Sequence, residues 1–114
     1  MPQPYEEHRP WGWFRQFTHS EETTVKILHV EKNAVLSLQS HEHRSEFWRV
    51  LSGAPIVVID DTEVTAKPGE EFWVPVGTKH RLKGGLIDSE VLEIAFGVFD
   101  ESDITRYEDM YGRN

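Results

Sequence analysis

Polar side chains crowd one short stretch of the chain, residues 36–53, "LSLQSHEHRSEFWRVLSG", which holds Gln39, His41, His43, Arg44 and Glu46. Imidazole, amide and carboxylate groups together can ligate a divalent cation, and an imidazole beside an arginine can do acid–base chemistry on an anionic substrate. The HxH pair alone is weak, because six histidines in 114 residues can produce one by chance. Strand geometry adds weight. On an extended chain residues two apart share a face, so Gln39, His41 and His43 project together, opposite Ser40 and Glu42. After a turn at Arg44 and Ser45, Glu46 shares its face with Trp48 and Val50. If Trp48 points inward so does Glu46, and an inward carboxylate is costly unless it is paired or bound to a cation. A metal answers both the polar face and the inward carboxylate.

The elements that position these groups are strands. Helical periodicity is nearly absent, and short alternating runs dominate: "WGWFRQFT", "TTVKILHV", "AVLSLQSH", "EFWRVLSG", "PIVVID", "TEVTA", "EFWVP", "HRLKG" and "EVLEIAFGVF". Gly, Pro, Asn or Asp closes each run, and "VVIDDTEVTA" predicts a tight hairpin around Asp60 and Asp61. So many short strands must hide their edges, which an antiparallel double-sheet jelly roll or small barrel does. Only the ending "ESDITRYEDMYGRN" departs from this pattern, and it predicts a turn-rich tail with one helical turn after Ser102.

Composition bounds the chemistry. With 38% hydrophobic content, 114 residues suffice for one core, so the expectation is one domain over 1–114. The absence of cysteine leaves histidine, amide and carboxylate as the only ligands for a metal. A net charge of −8 without a basic cluster argues against nucleic acid as a partner, and a small anionic ligand needs a local cation to bind. No apolar run approaches a membrane span, and "MPQPYEEHRPWG" lacks the features of a secretory signal, so the expected location is the cytoplasm, away from membranes.

Two spacings fix a resemblance. The frame from Asn33 through Gln39, His41 and Glu46 to Gly53 resembles the first motif of the cupin superfamily, with Asn33 where a glycine usually stands. "GEEFWVPVGTKH", from Gly69 through Pro75 and Gly77 to His80, resembles the second. The resemblance implies an all-β fold, a small cupin β-barrel (double-stranded β-helix, jelly-roll type), with Gln39, His41, Glu46 and His80 as metal ligands. In that frame His43 falls one step late for a ligand. "RPWGW", "KPGEEFWVPVGTKHRL" and "DITRYEDMYGR" narrow the likeness to the isomerase domain of type II phosphomannose isomerases. That family implies interconversion of mannose 6-phosphate and fructose 6-phosphate with a divalent metal, and commonly has histidine where this chain has Glu42 and Phe47.

A mixed oxygen and nitrogen ligand set suits one divalent ion, zinc first, with manganese, cobalt, iron or nickel tolerated. The reaction removes a proton beside a carbonyl and passes through an enediol, which requires a base. His43 is the first choice for that base, with Glu93 and Lys26 as runners-up from other strands. Arg44, Arg81, Arg113 and Lys26 are the candidates to bind the phosphate. The alternatives are a cupin enzyme of another class, such as a dioxygenase, and a non-catalytic sugar- or sugar-phosphate-binding module. The apolar run "WGWF" favours a homodimer formed through an edge strand or a swapped terminal segment.

Overall fold

Alternating side chains and glycine-rich turns produce strands and no helix among the described residues, 4–109, of the computed structural model. They are β1 (Tyr5–Arg9), β2 (Gly12–Gln16), β3 (Thr23–Val30), β4 (Leu38–Ser40), β5 (Arg44–Ser52), β6 (Ile56–Ile59), β7 (Thr62–Thr65), β8 (Glu71–Val74), β9 (His80–Lys83), β10 (Ser89–Gly97) and β11 (Thr105–Glu108). A four-stranded sheet in the order β3-β10-β5-β8 faces a five-stranded sheet in the order β11-β4-β9-β6-β7, and all neighbours are antiparallel. β1 and β2 form a separate hairpin. The 60–61 turn joins β6 to β7 as expected, with Asp60 in the left-handed region at φ 54°.

Between the sheets the chain changes character along its strands. Val30, Trp48, Val50, Val57, Val74, Leu82 and Val91 form an apolar core at one end. Further along the inward faces of the same strands stand Lys26 (β3), Glu46 (β5), His80 (β9) and Glu93 (β10). Cross-strand register explains the clustering, because Lys26, Glu93 and Trp48 oppose one another in a row and Glu46 lies two residues beyond Trp48. Apolar burial at one end thus holds charged groups in fixed positions at the other.

Two expectations require correction. Among the described residues the tail has no helical turn after Ser102; residues 105–108 form β11 and pair with β4. The strand carrying Gln39 ends at Ser40, so the two-residue alternation does not continue to His43. Both backbone amides that follow, Glu42 N–H and His43 N–H, donate to the Asp103 carboxylate at 2.8 and 3.0 Å, which turns the chain away from the sheet.

Candidate metal centre

His41, Glu46 and His80 meet between the sheets, with one ligand atom from each lying within 4.8 Å of the others. All are buried, at 2%, 2% and 1% exposure. His41 Nε2 is 3.5 Å from Glu46 Oε2, and His80 Nε2 is 3.4 Å from Glu46 Oε1. The far nitrogens fix the tautomers: His41 Nδ1–H donates to the Asp103 carbonyl at 2.7 Å and His80 Nδ1–H to the Thr78 carbonyl at 2.9 Å. Each Nε2 therefore presents a lone pair, and both lone pairs face a carboxylate. Glu46 Oε1 and His80 Nε2 are buried without a hydrogen-bond partner. Two facing acceptors repel unless a cation lies between them, so the donor set fits a metal, and carbonyls orienting the far imidazole nitrogens are the usual support of such a site. Burial also keeps the His80 imidazole below its ordinary pKa, with the Glu46 charge opposing, so it stays neutral and able to ligate.

Gln39 stands alongside. Its backbone pairs with His80 on one side and Arg106 on the other, and its Oε1 accepts a hydrogen bond from Ser37 Oγ at 3.0 Å. The Gly77 N–H donates to the His41 carbonyl at 2.8 Å, so the second motif's turn braces the first motif's ligand. Asn33, in the place of a motif glycine, adopts φ 63°, a left-handed conformation that asparagine tolerates better than most residues.

Glu46 forms part of the wall of a pocket of about 330 Å³ that is also lined by Lys26, Gln39, Arg44, Glu93 and Arg106. Burial, with the Glu46 charge adding to it, pushes the Glu93 carboxyl up to about 7, while Lys26, the Trp48 indole and Arg44 pull the other way. Lys26 Nζ lies 4.2 Å from the centre of the Phe99 ring and 3.6 Å from the Glu101 carboxylate at the mouth. Arg44 Nε donates to Glu46 Oε2 at 3.2 Å, and its Nη2 lies 3.2 Å from His41 Nε2.

Other sequence-derived candidates fall elsewhere. His43 is exposed on the outer loop beside Glu42, Asp100 and Asp103 and does not line the pocket of the ligand cluster, for the chain reversal already described. Arg81 follows the inward His80, so it points outward; its Nε donates to the Leu36 carbonyl at 3.1 Å, and it lines a separate depression of about 680 Å³. Arg113 lies outside the described residues. The residue that sequence reasoning missed is Arg106 on β11, which lines the pocket with its Nε buried and without a hydrogen-bond partner. The alternation in "ITRYE" was its only signal. The positions of Glu42 and Phe47, where the sequence departs from the resembled family, face away from the pocket: Glu42 is exposed, and Phe47 stacks against Phe17 at 5.4 Å.

Comparison with known proteins agrees with this architecture. Residues 2–109 match the family described as mannose-6-phosphate isomerase C-terminal. The xanthan biosynthesis protein XanB of Xanthomonas campestris pv. campestris (strain B100) is 38% identical over 108 residues, covering 93% of this chain but only 23% of that protein. Oxalate decarboxylase from Bacillus subtilis superposes with a TM-score of 0.70 at 20% identity over 77% of this chain and 24% of its own. The epimerase RmlC from Legionella pneumophila Philadelphia 1 gives 0.69 at 12% identity, covering 90% and 69%. Both structures share the all-β cupin fold with this chain.

Proposed function

The chain belongs to the mannose-6-phosphate isomerase C-terminal family, and from that membership we propose that it is a metal-dependent sugar-phosphate isomerase interconverting mannose 6-phosphate and fructose 6-phosphate. The observation that carries this reading is the pair of bare acceptors, Glu46 Oε1 and His80 Nε2, beside a pocket that also holds Glu93. His41, Glu46 and His80, with Gln39 adjacent, hold one divalent ion, zinc by the donor set, which supplies Lewis acidity toward the sugar's carbonyl oxygen. Glu93 is the base. A carboxyl poised at about 7 accepts the proton from C2 of the open-chain aldose and returns it to C1 of the enediol, which yields the ketose. Lys26, its cross-strand neighbour, faces the same space; it donates a proton to the carbonyl oxygen at C1 as the enediol forms and takes one back from the C2 hydroxyl as the ketose forms. Arg106 joins Arg44, the leading candidate from the sequence, as a phosphate ligand, because it lines the same pocket and its Nε is unpaired. His43 is left to the rim.

The second reading is a non-catalytic sugar-phosphate-binding module. It is favoured by Arg44, whose hydrogen bonds to Glu46 Oε2 and His41 Nε2 already pair two of the groups a metal would use. Turnover separates the two: fructose 6-phosphate should form from mannose 6-phosphate and stop on chelation. Retention of metal and substrate without turnover would sink the isomerase reading and leave the binding module. A cytoplasmic location and a homodimer built through the N-terminal hairpin, whose Trp11 and Trp13 are exposed, belong to the same proposal.

A further inference from the structure

Arg44 already occupies two atoms that a metal would need. Its Nη2 donates to His41 Nε2 and its Nε to Glu46 Oε2, and the side chain is 7% exposed. Imidazole Nε2 has one in-plane lone pair, committed here because Nδ1–H is spent on the Asp103 carbonyl. That lone pair can serve the guanidinium or a metal ion, not both, and two cations at the same carboxylate repel. A metal at His41 and Glu46 therefore requires Arg44 to let go.

The surroundings provide somewhere for it to go. Arg44 Cζ lies 4.3 Å from the centre of the Phe99 ring, the same ring that carries Lys26 Nζ, and Nη1 is 3.3 Å from the Asp100 carbonyl. Arg44 itself already lines the pocket shared by Lys26 and Arg106, so the space beside the fork is open to it. We infer that Arg44 is a switch between metal and anion: without metal it closes His41 and Glu46, and on metal entry it is released into the pocket to bind a tetrahedral dianion with Arg106. This rests on the metal-dependent reading of the site, but not on turnover.

Linkage makes the inference quantitative. If metal frees an anion ligand, metal and dianion must each tighten the other's binding by the same factor. Cobalt(II) and inorganic sulfate are suitable probes, because both stay soluble together and cobalt reports its own coordination in the visible spectrum. In the native protein sulfate should bind about tenfold tighter with cobalt present. In Arg44→Gln the competitor is gone, so cobalt should bind several-fold tighter than to the native protein, and its effect on sulfate should fall toward unity. A merely structural arginine would weaken cobalt and sulfate binding together, and thermal unfolding of the variant checks that it is folded. Cobalt binding to Arg44→Gln no tighter than to the native protein, or an undiminished effect on sulfate, would overturn the switch while leaving the metal site standing. Cobalt binding to neither protein would overturn the metal reading itself, and the switch with it.

Discussion

At the scale of single residues, the buried carboxylates divide the work. Glu46 lies among His41, His80 and Arg44, and its charge adds to burial in pushing Glu93, one strand away, up to about 7. The consequence for stability has a definite sign. Between the ordinary glutamate range and about 7 the folded metal-free protein holds a proton on Glu93 that the unfolded chain has lost, so stability falls as pH rises through that window. Glu93→Gln removes the effect. Compared with native metal-free protein, its melting temperature should gain progressively from pH 5 to 8, by an amount worth at most about 3 kcal/mol. A constant difference across that range would contradict the assignment. In the metal-loaded protein the same variant should lose at least about a hundredfold in kcat if Glu93 is the base. The sequence made the cluster of His41, Glu46 and His80 legible because each sits at a fixed motif spacing on or beside a strand. His43 was misplaced because its position depends on the Asp103 carboxylate, sixty residues away, capturing two backbone amides.

At the scale of elements, short runs closed by turn residues marked β2 to β10, four-residue strands included, and missed the two most polar strands. "TTVKILHV" corresponds to β3 residue for residue; it is rich in β-branched residues, and its less and more exposed positions alternate from Thr24 to Val30. β1 and β11 were missed: "YEEHR" and "TRYE" hold few apolar residues and are strands only because β2 and β4 pair with them. The motif glycine Gly53 was legible for a physical reason, with φ 85° and a Cβ there lying 2.4 Å from the Asp88 carbonyl oxygen. The hairpin of β1 and β2 is tied to the barrel by Arg15, whose Nη2 donates to Glu71 Oε1 at 2.8 Å, while Arg49 Nη1 donates to Glu71 Oε2 at 2.6 Å. The Arg15 hydrogen bond, with Arg49 behind it, holds the Glu71 carboxyl below its ordinary pKa. That stabilisation is present above the ordinary glutamate pKa and disappears as pH falls through the lowered one. Glu71→Gln should therefore cost about 1–2 kcal/mol at neutral pH and converge with the native protein in acid, read from urea unfolding. An equal loss at both pH values would mean that Glu71 acts through packing instead.

At the scale of the whole molecule, a chain of net charge −8 gathers Lys26, Arg44 and Arg106 in one pocket beside Glu46, Glu93 and Glu101, so the proposed anionic substrate would meet there the cations that offset the acidic surface. The opposite end of the barrel is apolar core. The N-terminal hairpin exposes Trp11 at 72% and Trp13 at 55%, and the molecule is 52 Å along its longest axis against 22 Å along its shortest. A homodimer formed through that arm predicts that replacing both tryptophans with serine shifts the sedimentation coefficient to that of a monomer and leaves the fold intact; a native protein that already sediments as a monomer would contradict it. The central claim is that one divalent ion at His41, Glu46 and His80 makes this barrel an isomerase. The most direct test is to strip the protein with a chelator, return zinc in fractions of an equivalent, and measure fructose 6-phosphate formed from mannose 6-phosphate at each step. The account predicts activity that rises in proportion to zinc, levels off at one equivalent and is absent in His80→Ala. Zinc bound to one equivalent with no turnover, or full turnover in the stripped protein, would contradict it.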